Sequence, residues 1–280
     1  MSTTHGTPGT AAAPGGQPAG RWPAGRRRWL GVAAVILAVA CLVPPVGSLA
    51  GRYVVAETAQ FAVFAMVVPA LLVLAAPWPL LRLARRDRAD RERLADRLAT
   101  ARRRHPSFLR SVGFLALFAG CAAFWRLPPV IDALARHPAL AAAELATLLV
   151  AGPALWLELV PSRPLRPRGR GVHVAIIAAG ATWAIWIIAY ILGLATNGVF
   201  HAYHYLPGGP LSAVADQELA TAVLWGVAAV CFLPVVFTSA VSWLHEGEDV
   251  DAELGRAASG TALPPVRGWG HPRRGRARSV

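Results

Sequence analysis

The stretch YVVAETAQFAVFAMVVPALLVLAAPWPLLRLARR, residues 53–86, decides the fold. It contains a run of roughly 20 apolar residues, interrupted only by Pro69, and a helix of about 20 residues crosses the ~30 Å hydrocarbon core of a bilayer. The stretch therefore predicts a membrane-spanning helix. Glu57 lies one turn into this span, with Gln60 one turn further along the same face. A carboxylate at mid-bilayer costs about 2.5–3.5 kcal/mol and less near the interface, so Glu57 indicates a polar partner or a site.

Composition supports a membrane protein. Of the 280 residues, 55% are hydrophobic and only 15% are charged, which is too apolar for an ordinary soluble domain. The formal net charge of +13 would favour a nucleic-acid partner if the basic residues formed one patch on a soluble domain. All 28 basic residues are instead arginines in blocks between apolar runs, and acids alternate with them in the segment 82–110. We therefore expect no nucleic-acid partner.

Six apolar runs predict an all-α, polytopic bundle of about six transmembrane helices over residues 29–244. The predicted spans are approximately 29–49, 53–76, 108–125, 137–160, 172–194 and 216–244. Residues 1–28 and 245–280 are predicted to be disordered tails, and the segment 82–110 is predicted to be a charged interfacial helix. A signal peptide cleaved after Ser48-Leu49-Ala50 is the alternative for the first run.

The distribution of arginine predicts the orientation. In the predicted topology, 25 of the 28 arginines lie on the side of both termini, and only Arg52, Arg126 and Arg136 lie on the other side. The positive-inside rule then places both termini in the cytoplasm of a multi-pass plasma-membrane protein.

Polar residues gather at the predicted outer ends of the spans. His137 and Glu144 are seven residues apart, so they would share one face of a helix, as would His201 with His204 if that segment were helical. Imidazole and carboxylate groups can together bind a divalent transition metal. The candidate metal ligands are Glu57, His137, Glu144, His201 and His204.

Two other interpretations of these polar groups remain open. The first is a purely structural network, because acids such as Asp216 and Glu218 at the start of a helix interact favourably with its dipole. The second is a site for something else, such as a proton path or a lipid headgroup. The three cysteines, Cys41, Cys121 and Cys231, lie in apolar runs without a CxxC pattern, which favours buried apolar side chains over a disulfide framework or a soft-metal site.

Motifs of soluble enzymes do not occur in the sequence. There is no Walker loop, no GxGxxG, no GxSxG and no HExxH, and Gly208-Gly209 between prolines is typical of a turn. We therefore expect a protein that is not an enzyme.

Three stretches carry a family resemblance through their order and spacing. In the second span the matching positions are Gln60, Pro69, Leu71, Leu72, Leu74 and Pro77. In the fourth they are His137, Pro138, Glu144, Gly152 and Trp156, and in the sixth they are Asp216, Gln217, Leu219 and Trp225. Together they resemble the CtaG-type cytochrome c oxidase assembly proteins, which are polytopic membrane proteins linked to copper delivery.

The resemblance implies an assembly factor that aids formation of the copper site of a respiratory oxidase at the outer face, with a haem-copper oxidase subunit as partner and copper as the metal handled. Four histidines of the family patterns are replaced here, by Glu57 and Phe61 in the second span and by Ala141 and Leu145 in the fourth. One alternative is a metal-free scaffold that keeps only the fold. Another is a transporter of protons or small solutes, for which polar groups should continue through the midplane, where the sequence has few.

Overall fold

The computed structural model of the protein describes residues 24–76, 107–160, 162, 171–194, 200–203 and 211–258. Every regular element in these ranges is a helix. In chain order they are α1 (Ala24–Leu42), α2 (Val46–Ala50), α3 (Val54–Ala75), α4 (Ser107–Trp125), α5 (Pro128–Arg136), α6 (Pro138–Leu159), α7 (Gly171–Gly193) and α8 (Ala213–Ala258). Residues 1–23 of the predicted tail 1–28 and residues 82–106 of the predicted charged segment 82–110 lie outside the described residues.

Five helices of the described ranges are long and apolar enough to cross a membrane. Their apolar segments are Val54–Ala75, Phe108–Trp125, Ala139–Leu159, Gly171–Gly193 and Ala213–His245. The prediction of an all-α membrane bundle is therefore confirmed. The last helix continues beyond the sixth predicted span and ends at Ala258.

The first predicted span differs from the others. Its apolar run is divided between α1, which ends at Leu42, and the short α2, because Pro44-Pro45 interrupts the helix between them. The first turns of α1 contain Arg26, Arg27 and Arg28, which leaves too few apolar residues for this helix to meet the length of a full span.

Helix α3 changes its winding in the middle. Residues Val63–Val67 form a π-helical turn, and the α-helix resumes at Val68 with Pro69 in its first turn. A proline ring inside an α-helix clashes with the carbonyl four residues earlier, which here belongs to Ala65 within the wider π turn. The local widening thus accommodates Pro69 without ending the helix.

The helices of the core pack around aromatic side chains. Trp156 of α6 stacks on Phe232 of α8 with ring centroids 5.3 Å apart, and Phe118 of α4 meets the same ring edge-on at 6.0 Å. Outside this core, large apolar side chains are exposed on the bundle surface, such as Leu109, Val150 and Val230. Apolar side chains on the outer surface are expected of helices that contact lipid tails.

Helices α3 and α6 approach each other closely at Gly152. A Cβ atom added there would lie 2.5 Å from Cγ of Pro69 and 2.8 Å from the carbonyl oxygen of Ala65. Small residues at such contacts let transmembrane backbones approach closely, and van der Waals packing is a main source of helix association in lipid. Gly152 thus fixes the distance between these two spans.

We expect Gly152→Ala to lower the free energy of unfolding by about 1–3 kcal/mol, because the added methyl group overpacks a contact that includes backbone. Thermal unfolding of the purified protein in detergent measures the change. Gly120→Ala on α4 is the matched control, since its Cβ would meet nothing within 4 Å. Equal melting temperatures for the two variants would contradict the prediction.

Candidate functional site

Several helix ends meet at one end of the bundle, here called the Arg126 end. They are the start of α3, the end of α4, the starts of α6 and α8, and the loop residues 200–203. Arg126 directly follows α4, where Leu127 becomes extended before Pro128 and ends the helix. Its backbone N–H still bonds to the carbonyl of Ala122 at 3.1 Å, which fixes the start of its side chain.

The guanidinium of Arg126 forms a two-pronged ion pair with Glu57. Its Nη1 donates to Oε2 of Glu57 at 2.8 Å, and its Nη2 donates to the other carboxylate oxygen. Nη1 also donates to the hydroxyl of Thr58 at 3.2 Å. Paired N–H to carboxylate contacts of this kind are among the strongest hydrogen bonds in proteins. The acid that the sequence left without a partner is thus bound by a cation.

Two further residues complete what we call the ion cluster, which consists of Arg126, Glu57, Thr58, Glu144 and Phe61. Glu144 of α6 accepts a hydrogen bond from Nη2 of Arg126 at 3.2 Å. The guanidinium carbon lies 4.0 Å from the ring centroid of Phe61, within the range of a cation–π contact. Glu57 and Phe61 are one turn apart on α3, so one helical face supplies both the anion and the ring.

The ion cluster is closed to solvent. Arg126 is only 2% exposed, Glu57 8% and Glu144 7%. A guanidinium stays protonated in proteins, so one positive charge faces two carboxylate groups, and the Nε of Arg126 finds no acceptor in the described part of the chain. The arrangement can hold three spans together, but each member depends on the others because an unpaired buried charge is strongly unfavourable.

Asp216 holds the beginning of α3. Its side chain is fully buried and accepts hydrogen bonds from the backbone N–H groups of Val54 at 2.6 Å and Val55 at 2.9 Å. The first N–H groups of a helix have no partner within the helix itself. A carboxylate from α8 therefore supplies the cap that Tyr53, the residue before α3, does not provide with its own side chain.

Other hydrogen bonds between side chains and backbone groups stabilise the Arg126 end. Gln217 donates to the carbonyl of Leu192 at 2.8 Å, which joins α8 to α7. Asp132 of α5 accepts from the N–H of Ala202 at 2.9 Å, which anchors the loop, and Gln60 donates to the carbonyl of Cys41 of α1. Tyr203 follows Ala202 in this loop. Burial, and after it the charge of Glu57, raises the pKa of the Tyr203 phenol, so the phenol stays protonated.

The predicted metal ligands are only partly brought together. Glu57 and Glu144 meet around Arg126. His137 is exposed and precedes the first helical residue of α6, so it does not share the helical register of Glu144. His201 is exposed as well, and His204 lies outside the described residues. Among the residues that the structure describes, no three His, Cys, Asp or Glu side chains form a group that could hold a metal ion.

The sequence reasoning missed Arg126 as a site residue. The signal was nevertheless present, because Arg126 is one of just three arginines on the arginine-poor side and follows an apolar span directly. The sequence resemblance implies a histidine at Phe61, but spacing along the chain does not predict the contact of Phe61 with Arg126.

We expect Arg126→Met to lower the free energy of unfolding by about 3–5 kcal/mol, because it leaves Glu57 and Glu144 buried without their cation. Denaturation in mixed detergent micelles measures the change. The triple variant Glu57→Gln, Arg126→Met, Glu144→Gln should recover part of the loss, since it removes all three charges. Arg110→Met is the control: Arg110 pairs with Glu158 at 3.0 Å but is less buried. A loss no larger than that of the control would contradict the prediction.

We expect Asp216→Ala to destabilise the start of α3, with a loss of about 1–3 kcal/mol for each backbone N–H group left buried without an acceptor. Hydrogen–deuterium exchange should become faster at Val54 and Val55 and remain unchanged in the middle of α7. Asp216→Asn keeps one side-chain oxygen as acceptor, so its exchange should be intermediate. Unchanged exchange at both amides in the alanine variant would refute the capping role.

Comparison with known proteins identifies the family. The family model described as cytochrome c oxidase caa3 assembly factor (Caa3_CtaG) matches residues 10–246, which is most of the chain. No curated protein and no solved structure matches it significantly. The match confirms the family that the sequence resemblance predicted. The chain is a membrane protein that belongs to the cytochrome c oxidase caa3 assembly factor family.

Proposed function

We propose that this protein acts in the plasma membrane as a non-catalytic, metal-free scaffold for the assembly of a haem-copper oxidase, with the Arg126 end at the outer face. Membership of the assembly-factor family supports the role in assembly. The arginine distribution supports the orientation, because the described loops at the Arg126 end hold few arginines.

The ion cluster is the observation that carries the metal-free part of the proposal. A copper ion between Glu57 and Glu144 would compete with the guanidinium of Arg126, which already binds both carboxylates. Copper(I) also prefers thiolate, thioether and imidazole ligands to carboxylates. The residues present in the ion cluster therefore do not fit a copper site.

The same cluster suits a scaffold. It ties the ends of α3, α4 and α6 to one another, and Asp216 ties α3 to α8. A buried pair of this kind is weak evidence for added stability, but it can specify one arrangement of helices among several. We infer that a defined outer end, and not a bound ion, is what the oxidase subunit recognises.

A deletion strain tests the role. Wild-type protein should restore the haem absorbance of the assembled oxidase, and so should the triple variant His137→Ala, His201→Ala, His204→Ala, because histidine is not needed by a scaffold. Arg126→Met should leave oxidase at the level of the deletion strain. Immunoblots of the membranes show whether each variant is present at wild-type amounts.

Metal analysis supplies the second measurement. Purified wild-type protein should contain no stoichiometric copper after exposure to copper under reducing or oxidising conditions. One copper per chain that the triple histidine variant loses would overturn the scaffold and support copper handling. A normal level of assembled oxidase in the deletion strain would contradict the role in assembly.

A further inference from the structure

A groove lies between α7 and α8 on the surface of the bundle, and none of the ion-cluster residues lines it. Its volume is about 750 Å³, within the range of roughly 300–1,000 Å³ typical of small-molecule sites. The side chains that shape it are Trp183, Trp186, Ile187 and Tyr190 of α7 and Glu218 and Trp225 of α8. Both helices are membrane spans, so the groove opens towards the bilayer.

The wall of the groove is aromatic and ordered. Trp186 stacks on Trp225 with ring centroids 4.6 Å apart and an angle of 14° between the planes. Trp183 meets Trp186 edge-on at 5.8 Å. The indole N–H of Trp186 donates to the backbone carbonyl of Trp225 at 3.1 Å, which fixes the stack across the two helices. Trp183 is nonetheless 62% exposed, so much of this surface faces the groove and the lipid.

Glu218 places a negative charge at one end of the groove. It is exposed, and within the described ranges it has neither a hydrogen-bond partner nor an ion-pair partner. Its neighbours Asp216 and Gln217 are buried and bonded to backbone groups. The described part of the chain thus leaves Glu218 open to a ligand. No other described residue that lines the groove carries a carboxylate.

The length of the groove along α7 matches the thickness of one leaflet of a bilayer. Along α7 the lining extends from Gly193, at the helix end, to Trp183. At 1.5 Å per residue this is about 15 Å, or half of a hydrocarbon core ~30 Å thick. A partner transmembrane helix would need a contact surface along the whole span. A lipid needs only this length, with its headgroup beside the helix end and its chain along the apolar wall.

We propose that this groove binds one membrane lipid whose headgroup carries an ammonium group. The ammonium pairs with Glu218 at the mouth, and an acyl chain lies on the tryptophan wall. The carboxylate of Glu218 favours a cationic headgroup through charge. The same carboxylate repels a headgroup whose only charge is a phosphate, so anionic lipids bind less well.

The test uses delipidated, full-length protein and native mass spectrometry. Phosphatidylethanolamine, phosphatidylcholine and phosphatidylglycerol of identical chain composition are titrated separately. We expect the first bound ethanolamine or choline lipid to bind about fivefold tighter than the glycerol lipid, the factor of one favourable ion pair near a surface. The ratio between the first two lipids shows whether a primary or a quaternary ammonium is preferred.

Variants connect the preference to the groove. Glu218→Gln should abolish the preference for ammonium lipids while leaving weak binding of all three. Trp225→Ala should weaken the binding of all three lipids, because the stacked wall is lost. Trp243→Ala is the control, since this exposed tryptophan lies on α8 but outside the groove, and it should behave as the wild type does.

Equal affinity for the three lipids in the wild type would overturn the proposal. A preference that persists in Glu218→Gln would overturn it too, as would the loss of binding in Trp243→Ala to the same extent as in Trp225→Ala. Circular dichroism checks that each variant keeps its helices. Oxidase assembly is measured separately, so a failure of the lipid-binding proposal leaves the scaffold role untouched.

Discussion

The pairing of Arg126 with Glu57 and Glu144 is the interaction on which the polar end of this bundle depends. In a bilayer the hydrophobic effect does not drive one helix onto another, because lipid tails are as apolar as the side chains, so close packing and polar contacts must select the arrangement. The charged contact joins three spans through a single side chain. The glycine contact between α3 and α6 then sets their spacing deeper in the membrane.

The two positions of α3 at which the sequence resemblance implies histidine, Glu57 and Phe61, share one contact in this chain. Glu57 supplies the anion and Phe61 the aromatic face that together surround the guanidinium of Arg126. A carboxylate alone at this depth would be unfavourable, and so would an arginine alone. Glu57 and Phe61 are therefore consistent as a set, because both contact the same guanidinium.

The apolar runs in the sequence are enough to predict where the spans lie. They do not predict which residues of different spans contact one another. Runs such as 172–194 are apolar on all sides and long enough to be recognised without any tertiary information, and the corresponding helix is observed as Gly171–Gly193. The partner of Glu57 was hidden because Arg126 lies 69 residues away along the chain. The shared face expected for His137 and Glu144 depended on a helix that includes both, but the helix starts at Pro138. The first apolar run is divided because Pro44-Pro45 separates α1 from α2, an effect that hydropathy alone does not show.

The order of synthesis gives the ion cluster a further consequence. Helix α3 leaves the ribosome before α4, so Glu57 enters the bilayer 69 residues ahead of its cation. At about 5–20 residues per second, this interval is roughly 3–14 s. During this interval Glu57 is in the chain without Arg126. The backbone N–H groups at the start of α3 wait longer still for Asp216, which follows Val54 by 162 residues. Helix α3 therefore cannot form all of its final polar contacts until α8 has been inserted. The Arg126 end of the bundle is complete only after the last span has been synthesised.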